Sequence, residues 1–480
     1  VISRADRHGR PAGGGGQAVR IRAAFVSRPV LLLAFAFAVM GDPVSSVAYA
    51  IEAGLRSLGG DLRLLLPTML AVLAIIVLVA VNYHHLYARF PSGGGDAAAS
   101  AAAFSEGLAF VPLAALMVDY ALTIAISVAA GASAVIAYLP GLAPARLPLA
   151  IVLLAMVAAV TLLGHGGRAV FALMTISFVI IGSVVIVRGA QVVPVHQAPP
   201  AVAPAFPRFA PVGVLLAFPV GMALATGVEA PSSAIAQLGQ LDDAGRLRFG
   251  RVTLWLMVAI VIWLTAGFTA VGVRLHVGLP SGSSTWIAQV AQAAAGRGGL
   301  FAAFQLASTV MLLAAASSSF QAGPGLLKAL ARGGDGVGIL PGFLSRRNRH
   351  HTPYYGVAVF LAAAALLVLA AGGQEQRLVL FYAVAVFIAF LCGLASMTRL
   401  FRRAGRRLLM AVSITGSLAV GLTLGTDFAR GYPIVSFMAA CLIAAALYAM
   451  WVRAGRPRGV AQAEQIAETE DKPASRARPA

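Results

Sequence analysis

The sequence predicts an all-α integral membrane protein of twelve transmembrane helices, ten of them forming two inverted repeats of five. Three observations carry this. Of 480 residues, 59% are hydrophobic and 11% charged, whereas a soluble domain has about 25% charged residues. The apolar residues fall into twelve runs of about 20, the length that crosses a bilayer as a helix. Two of those runs, the first and the sixth, are interrupted by Gly and Pro around a carboxylate. Broken helices in corresponding positions of two halves point to inverted repeats with a binding site between them.

In chain order, residues 1–28 are basic and Gly-rich and are expected to form a cytoplasmic tail. No cleavage site follows the first apolar run, so this stretch does not read as a removed signal peptide. Residues 29–193 hold the first five helices, with apolar runs starting near Val30, Leu64, Ala102, Leu147 and Ala169. The Pro-rich stretch 194–211 is the longest expected external loop. Residues 212–400 hold the next five helices, starting near Val212, Thr253, Leu300, Tyr354 and Leu378, and residues 401–453 the last two, from Leu408 and Tyr432. The polar tail 454–480 reads as disordered. With the N-terminus placed in the cytoplasm, about three quarters of the 36 Lys and Arg fall on the cytoplasmic side, as the positive-inside rule requires. Both termini then lie there, in an inner or plasma membrane. The net charge of +19 is topological on this reading and implies no nucleic-acid partner.

The first helix breaks at Gly41-Asp42-Pro43, because proline removes a backbone donor and crowds the preceding turn. The sixth carries Thr226-Gly227-Val228-Glu229-Ala230-Pro231. The third places Asp119 mid-helix, with Thr123 on the same face one turn on. A charge at the bilayer centre costs about 2.5–3.5 kcal/mol on insertion scales, so three buried acids indicate function. Carboxylates, hydroxyls and freed carbonyls together suit a hard cation. Each residue also has a plainer role. Asp42 suits an N-cap, Asp119 and Glu229 suit hydrogen bonds to the broken backbone, and a membrane Thr commonly bonds back to its own helix.

At these residues the chain resembles the amino acid–polyamine–organocation permease superfamily, and within it the proton-coupled potassium importers of the potassium-uptake-permease-like branch. The first-helix pattern reads Asp42-Pro43-Val44-Ser45-Ser46-Val47-Ala48-Tyr49, the third Asp119-Tyr120-Ala121-Leu122-Thr123, the sixth Thr226-Gly227-Val228-Glu229 and the tenth Leu380-Phe381-Tyr382-Ala383-Val384. The resemblance covers about 31–451. It implies the LeuT-like fold and an ion or substrate site of Asp42, Ser45, Tyr49, Asp119, Tyr120, Thr123, Thr226, Glu229 and Tyr382. These residues serve as potassium ligands, and Glu229 or Asp42 carries the proton. Characterised importers of that branch continue into a soluble cytoplasmic domain after the twelfth helix. This chain ends soon after Trp451, so dimerisation and nucleotide control of that kind are not carried over.

The expected function is secondary active transport, with potassium and protons as transported species and no cofactor. The partners are the lipid bilayer and a small cation or amino acid. An amino-acid or polyamine symporter of the same fold is the alternative. Asp42 would repel a substrate carboxylate, and Pro43 offers it no amide, which disfavours a zwitterion. An enzyme would need a nucleophile with a base in reach, and no His lies deep in a span. Cys392 and Cys441 read as packing residues. Glu52 is placed at the external vestibule and Glu106 at a helix start. His84-His85 and His350-His351 read as interface pairs, and Gly164-His165-Gly166-Gly167-Arg168 as a tight turn.

Overall fold

Helix is the only regular structure of any length among the described residues, which in this computed structural model are 28–164, 168–193, 210–238, 241–280, 282–332, 337–429 and 434–469. Each predicted apolar run is found as a helix or a broken helix. We label them α1 (28–57, in three pieces), α2 (Leu62–Arg89), α3 (Phe110–Tyr138), α4 (Arg146–Leu162), α5 (Arg168–Gln191), α6 (210–238, in pieces), α7 (Asp243–Arg274), α8 (Gly299–Leu330), α9 (Tyr354–Ala370), α10 (Glu375–Arg403), α11 (Arg407–Ala429) and α12 (Ile434–Arg453). Among the described residues, ten helical stretches are long and apolar enough to cross a membrane; α9 is apolar but shorter, and α1 is divided. The expected tail 1–28 and loop 194–211 lie almost wholly outside the described residues.

Helix starts follow local chemistry. The Asp61 carboxylate accepts from the Arg63 amide at 3.0 Å to cap α2, and Asp242 accepts from Gly245 N at 3.0 Å to cap α7. At Asp61, between α1 and α2, the Arg63 hydrogen bond holds the carboxyl below its usual range.

Burial sorts the helices into an inner post and a lipid-facing rim. The most apolar window of α3 is 89% buried, that of α12 only 17%. The α3 post packs along α8 and α10, so Asp119 lies inside the bundle. Exposed Leu418, Leu442 and Leu366 mark the rim.

Two expectations are corrected. The third run does not enter the membrane directly at Ala102. A separate connector helix, Gly95–Ala103, comes first, followed by a bend at Phe104 and a 3-10 turn, Glu106–Ala109. Gly93, Gly94 and Gly95 all take positive φ, which sets this helix off from α2. The chain beyond α12 is also not disordered from 454. It is ordered through Thr469 and ends in a short terminal helix, Ala463–Thr469. Val460 and Ala463 are fully buried against Phe110, Leu113, Leu326 and Leu330, and that apolar burial holds the segment down.

Candidate ion and solute site

The break in α1 is gentler than the motif alone suggests. Helix Arg28–Val39 stops at Met40, one turn of helix forms over Gly41–Ser45, and helix resumes at Val47 after a turn at Ser46. Pro43 has no N–H, so the Val39 carbonyl loses its helical donor. The serines serve the neighbouring carbonyls. Ser45 Oγ donates to Asp42 O at 2.7 Å, and Ser46 Oγ sits 2.7 Å from Pro43 O and 3.2 Å from Leu224 O. Ser46 therefore joins the broken part of α1 to the broken part of α6.

In α6, helix Ala210–Gly221 tightens to a 3-10 turn at Met222–Ala225, and helix resumes at Ala230–Ala234. Between them Thr226 is extended and Gly227 takes φ +72°. A side chain at Gly227 would be strained there. It would also meet Asp42 and Pro43, since a Cβ would lie 2.7 Å from Pro43 Cδ and 3.1 Å from Asp42 Oδ2. The two unwound stretches thus touch.

Around this contact the structure gathers five of the nine predicted site residues. Tyr49 is 1% exposed, and its hydroxyl feels the charges of both Asp42 and Asp119. Glu229 lies within electrostatic reach of Asp119 and Asp42. Asp42 Oδ1, Glu229 Oε2 and the Tyr49 hydroxyl are buried and make no hydrogen bond among the described residues. Thr123 is fully buried one turn from Asp119. Such inward acids and oxygens suit a hard cation, and the acids suit a proton.

The other predicted residues are placed differently. Ser45 is turned to its own helix, and Thr226 Oγ1 donates to Ala223 O at 2.7 Å. Both hydroxyls hold the breaks open. Tyr120 sets its ring edge-on against Phe360 of α9, with centroids 6.5 Å apart. Tyr382 lies within α10, but its side chain is outside the described residues. Glu52 does not open onto a vestibule. It is 2% exposed, bonded to Arg56 Nε at 2.8 Å and to Trp286 N at 2.8 Å. It thereby pins α1 to the helix Trp286–Ala295. Glu106 receives Gly459 N at 3.5 Å, and His84 takes a hydrogen bond from Trp255 at 3.1 Å.

Sequence reasoning missed four buried acids, Asp96, Glu375, Asp427 and Glu464, of which two lie near the α6 break. Asp96, in the connector helix, is 5% exposed and accepts Tyr83 OH at 2.7 Å. Glu464, in the terminal helix, is 5% exposed and accepts Ser233 Oγ at 2.7 Å. For Asp96 a signal existed: one acid after three glycines, leading an Ala-rich run. Nothing local marked Glu464, whose burial depends on a distant partner.

The amino acid permease family matches residues 31–464 of this chain. The potassium transporter KimA of Bacillus subtilis (strain 168) is 26% identical over 361 residues, 73% of this chain. The chain spans only 58% of that relative's length. Crystal structures of manganese transporter variants from Eremococcus coleocola overlay with TM-scores of 0.47 and 0.42, at 15% and 14% identity. In both, the overlay covers 89% of this chain and 95% of theirs. The family match takes in every helix from α1 to α12 and both breaks, and the chain belongs to the amino acid permease family of membrane transporters.

Proposed function

We propose that this chain imports potassium together with protons, through the site between α1, α3, α6 and α10. The observation that carries the reading is the meeting of Asp42, Asp119 and Glu229 at two touching helix breaks, with one buried oxygen each on Asp42 and Glu229 that no group among the described residues satisfies. The curated relative KimA, itself named a potassium transporter, supports the substrate. The bundle has twelve spans in an inner or plasma membrane, and both termini are cytoplasmic, as the Lys and Arg distribution favours. Potassium is cargo, held by Asp42, Asp119, Glu229, Tyr49 and backbone oxygens. Broken backbone at this depth is tolerated where it lines a cavity or meets a ligand. Glu229, on the resumed half of α6, carries the proton in preference to Asp42, because a group beside a hinge changes its access most.

Purified protein in liposomes is expected to concentrate rubidium tracer when the outside is acidified. Uptake of a neutral amino acid or polyamine without rubidium flux would instead assign the amino-acid symporter, a reading the family's description favours. Against a zwitterion stands Asp42 itself, which occupies the break where a substrate carboxylate would need amides.

A further inference from the structure

Asp96 is one of several acids buried outside the central site. Asp96 stands in the first turn of the connector helix Gly95–Ala103, a place where an acid commonly serves the helix by accepting from its free amides. Here it does not. The helix start has no side-chain cap, and among the described residues the only hydrogen bond to the Asp96 carboxylate comes from Tyr83, at 2.7 Å to Oδ2. Oδ1 is buried without a partner among the described residues, in a residue 5% exposed. Gly393 of α10 lies against the carboxylate, where a Cβ would collide with it. The small cavity beside Asp96 is otherwise lined largely by apolar groups, including Val79, Leu86, Phe390 and Met397. No Lys or Arg pairs with Asp96 among the described residues. The guanidinium of Arg403 instead bonds Ala102 O, at the far end of the connector. So little room and so few ligands do not suit a dehydrated cation, but they suit a proton.

Titratable groups from three other elements lie near Asp96. From α2, Tyr83 and Tyr87 both feel the charges of Asp96 and Glu229, and the Tyr87 hydroxyl is fully buried with no hydrogen-bond partner among the described residues. From α6, Glu229 itself lies within electrostatic reach of Asp96. From α10, Cys392 lies within reach too. On the far side the terminal helix brings Glu464 against Gly95, next to Ser232 and Ser233.

We propose that Asp96 is the inner proton station of this transporter, receiving the proton that leaves the central site and releasing it to the cytoplasm. This rests on the proton-coupled reading and its orientation. The proton on the Glu229 carboxyl passes to a tyrosine hydroxyl or a bridging water, whose own proton moves on to the Asp96 carboxylate. Glu229 is left ionised and Asp96 neutral, with no net change in the relay. Asp96 then loses its proton to cytoplasmic water. Burial raises the Asp96 carboxyl, while the Tyr83 bond opposes the rise.

The test uses the full chain in liposomes with two rubidium measurements. One is concentrative uptake driven by external acid. The other is rubidium–rubidium exchange without a pH gradient, which needs no net proton movement. Asp96→Asn is expected to lower acid-driven uptake at least about tenfold, in the range of lost proton-transfer steps, and to lower exchange far less. Unchanged acid-driven uptake, or equal loss of both, would overturn the proposal. A second measurement does not depend on the substrate. Infrared difference spectra between acidic and alkaline buffer are expected to show a buried carboxyl band that is absent in Asp96→Asn. In Tyr83→Phe, which removes only the hydroxyl, the band is expected to shift. A spectrum unchanged by Asp96→Asn would sink the proposal even if potassium proves not to be the cargo. Wild-type protein with that band but without acid-driven uptake would fault the transport reading and leave the Asp96 titration standing.

Discussion

Asp119 is the acid whose position owes least to helix ends. It is mid-helix on the most buried post of the bundle, 3% exposed, so capping does not explain it. Asp119→Asn keeps its size and much of its hydrogen bonding. It is expected to insert normally and to lose transport by at least about tenfold, since a ligand to a charged cargo contributes more than 1.4 kcal/mol. Rubidium uptake against expression level checks this, and retained uptake with unchanged affinity would make Asp119 structural. Glu229→Gln mimics the protonated form. Acid stimulation of uptake is expected to vanish while part of the tracer exchange survives. A Gln variant that still concentrates rubidium in response to acid would place the proton elsewhere.

At the scale of elements, the terminal helix behaves as part of the bundle. Its Glu464 holds Ser233, four residues beyond Glu229, and its Ala467 carbonyl lies 3.5 Å from where a Cβ on Gly325 of α8 would stand. A buried hydrogen bond to a charged group contributes about 1.5–3 kcal/mol. Ser233→Ala and Glu464→Gln should each lower the unfolding temperature in detergent, and the double variant should lower it by less than the sum. Simple additivity would show that the two groups do not interact. This element was not legible in the sequence, because a short amphipathic segment has no strong pattern of its own. Its order comes from Phe110 and Leu330, far away in the chain. The breaks in α1 and α6 were legible because Pro43 and Gly227 act locally. Only the exact turns, Met40 and Ser46, needed the fold.

For the whole molecule, the helices were readable since a bilayer leaves the backbone few options and apolarity marks the spans. The convergence of Asp42, Asp119 and Glu229 was readable from the motifs together, whereas the separate connector helix carrying Asp96 was merged with α3 because both are apolar. The orientation rests on charge. A reporter enzyme active only in the cytoplasm, fused after residue 480, should be active. The same reporter in the 194–211 stretch should be silent, and the opposite pattern would invert the assignment of the two membrane faces.

The contact between Gly227 and the Asp42–Pro43 turn has a kinematic consequence. A hinge usually has slack, so its two leaves swing independently. Here the unwound stretch of one repeat seats in that of the other with no room for a methyl group, and Ser46 bolts them together through the Leu224 carbonyl. Motion of either is transmitted to the other as in meshed gears. On the proposed transport reading, a device geared this way would not readily open both faces at once, and the shape of one glycine would guard against a leak.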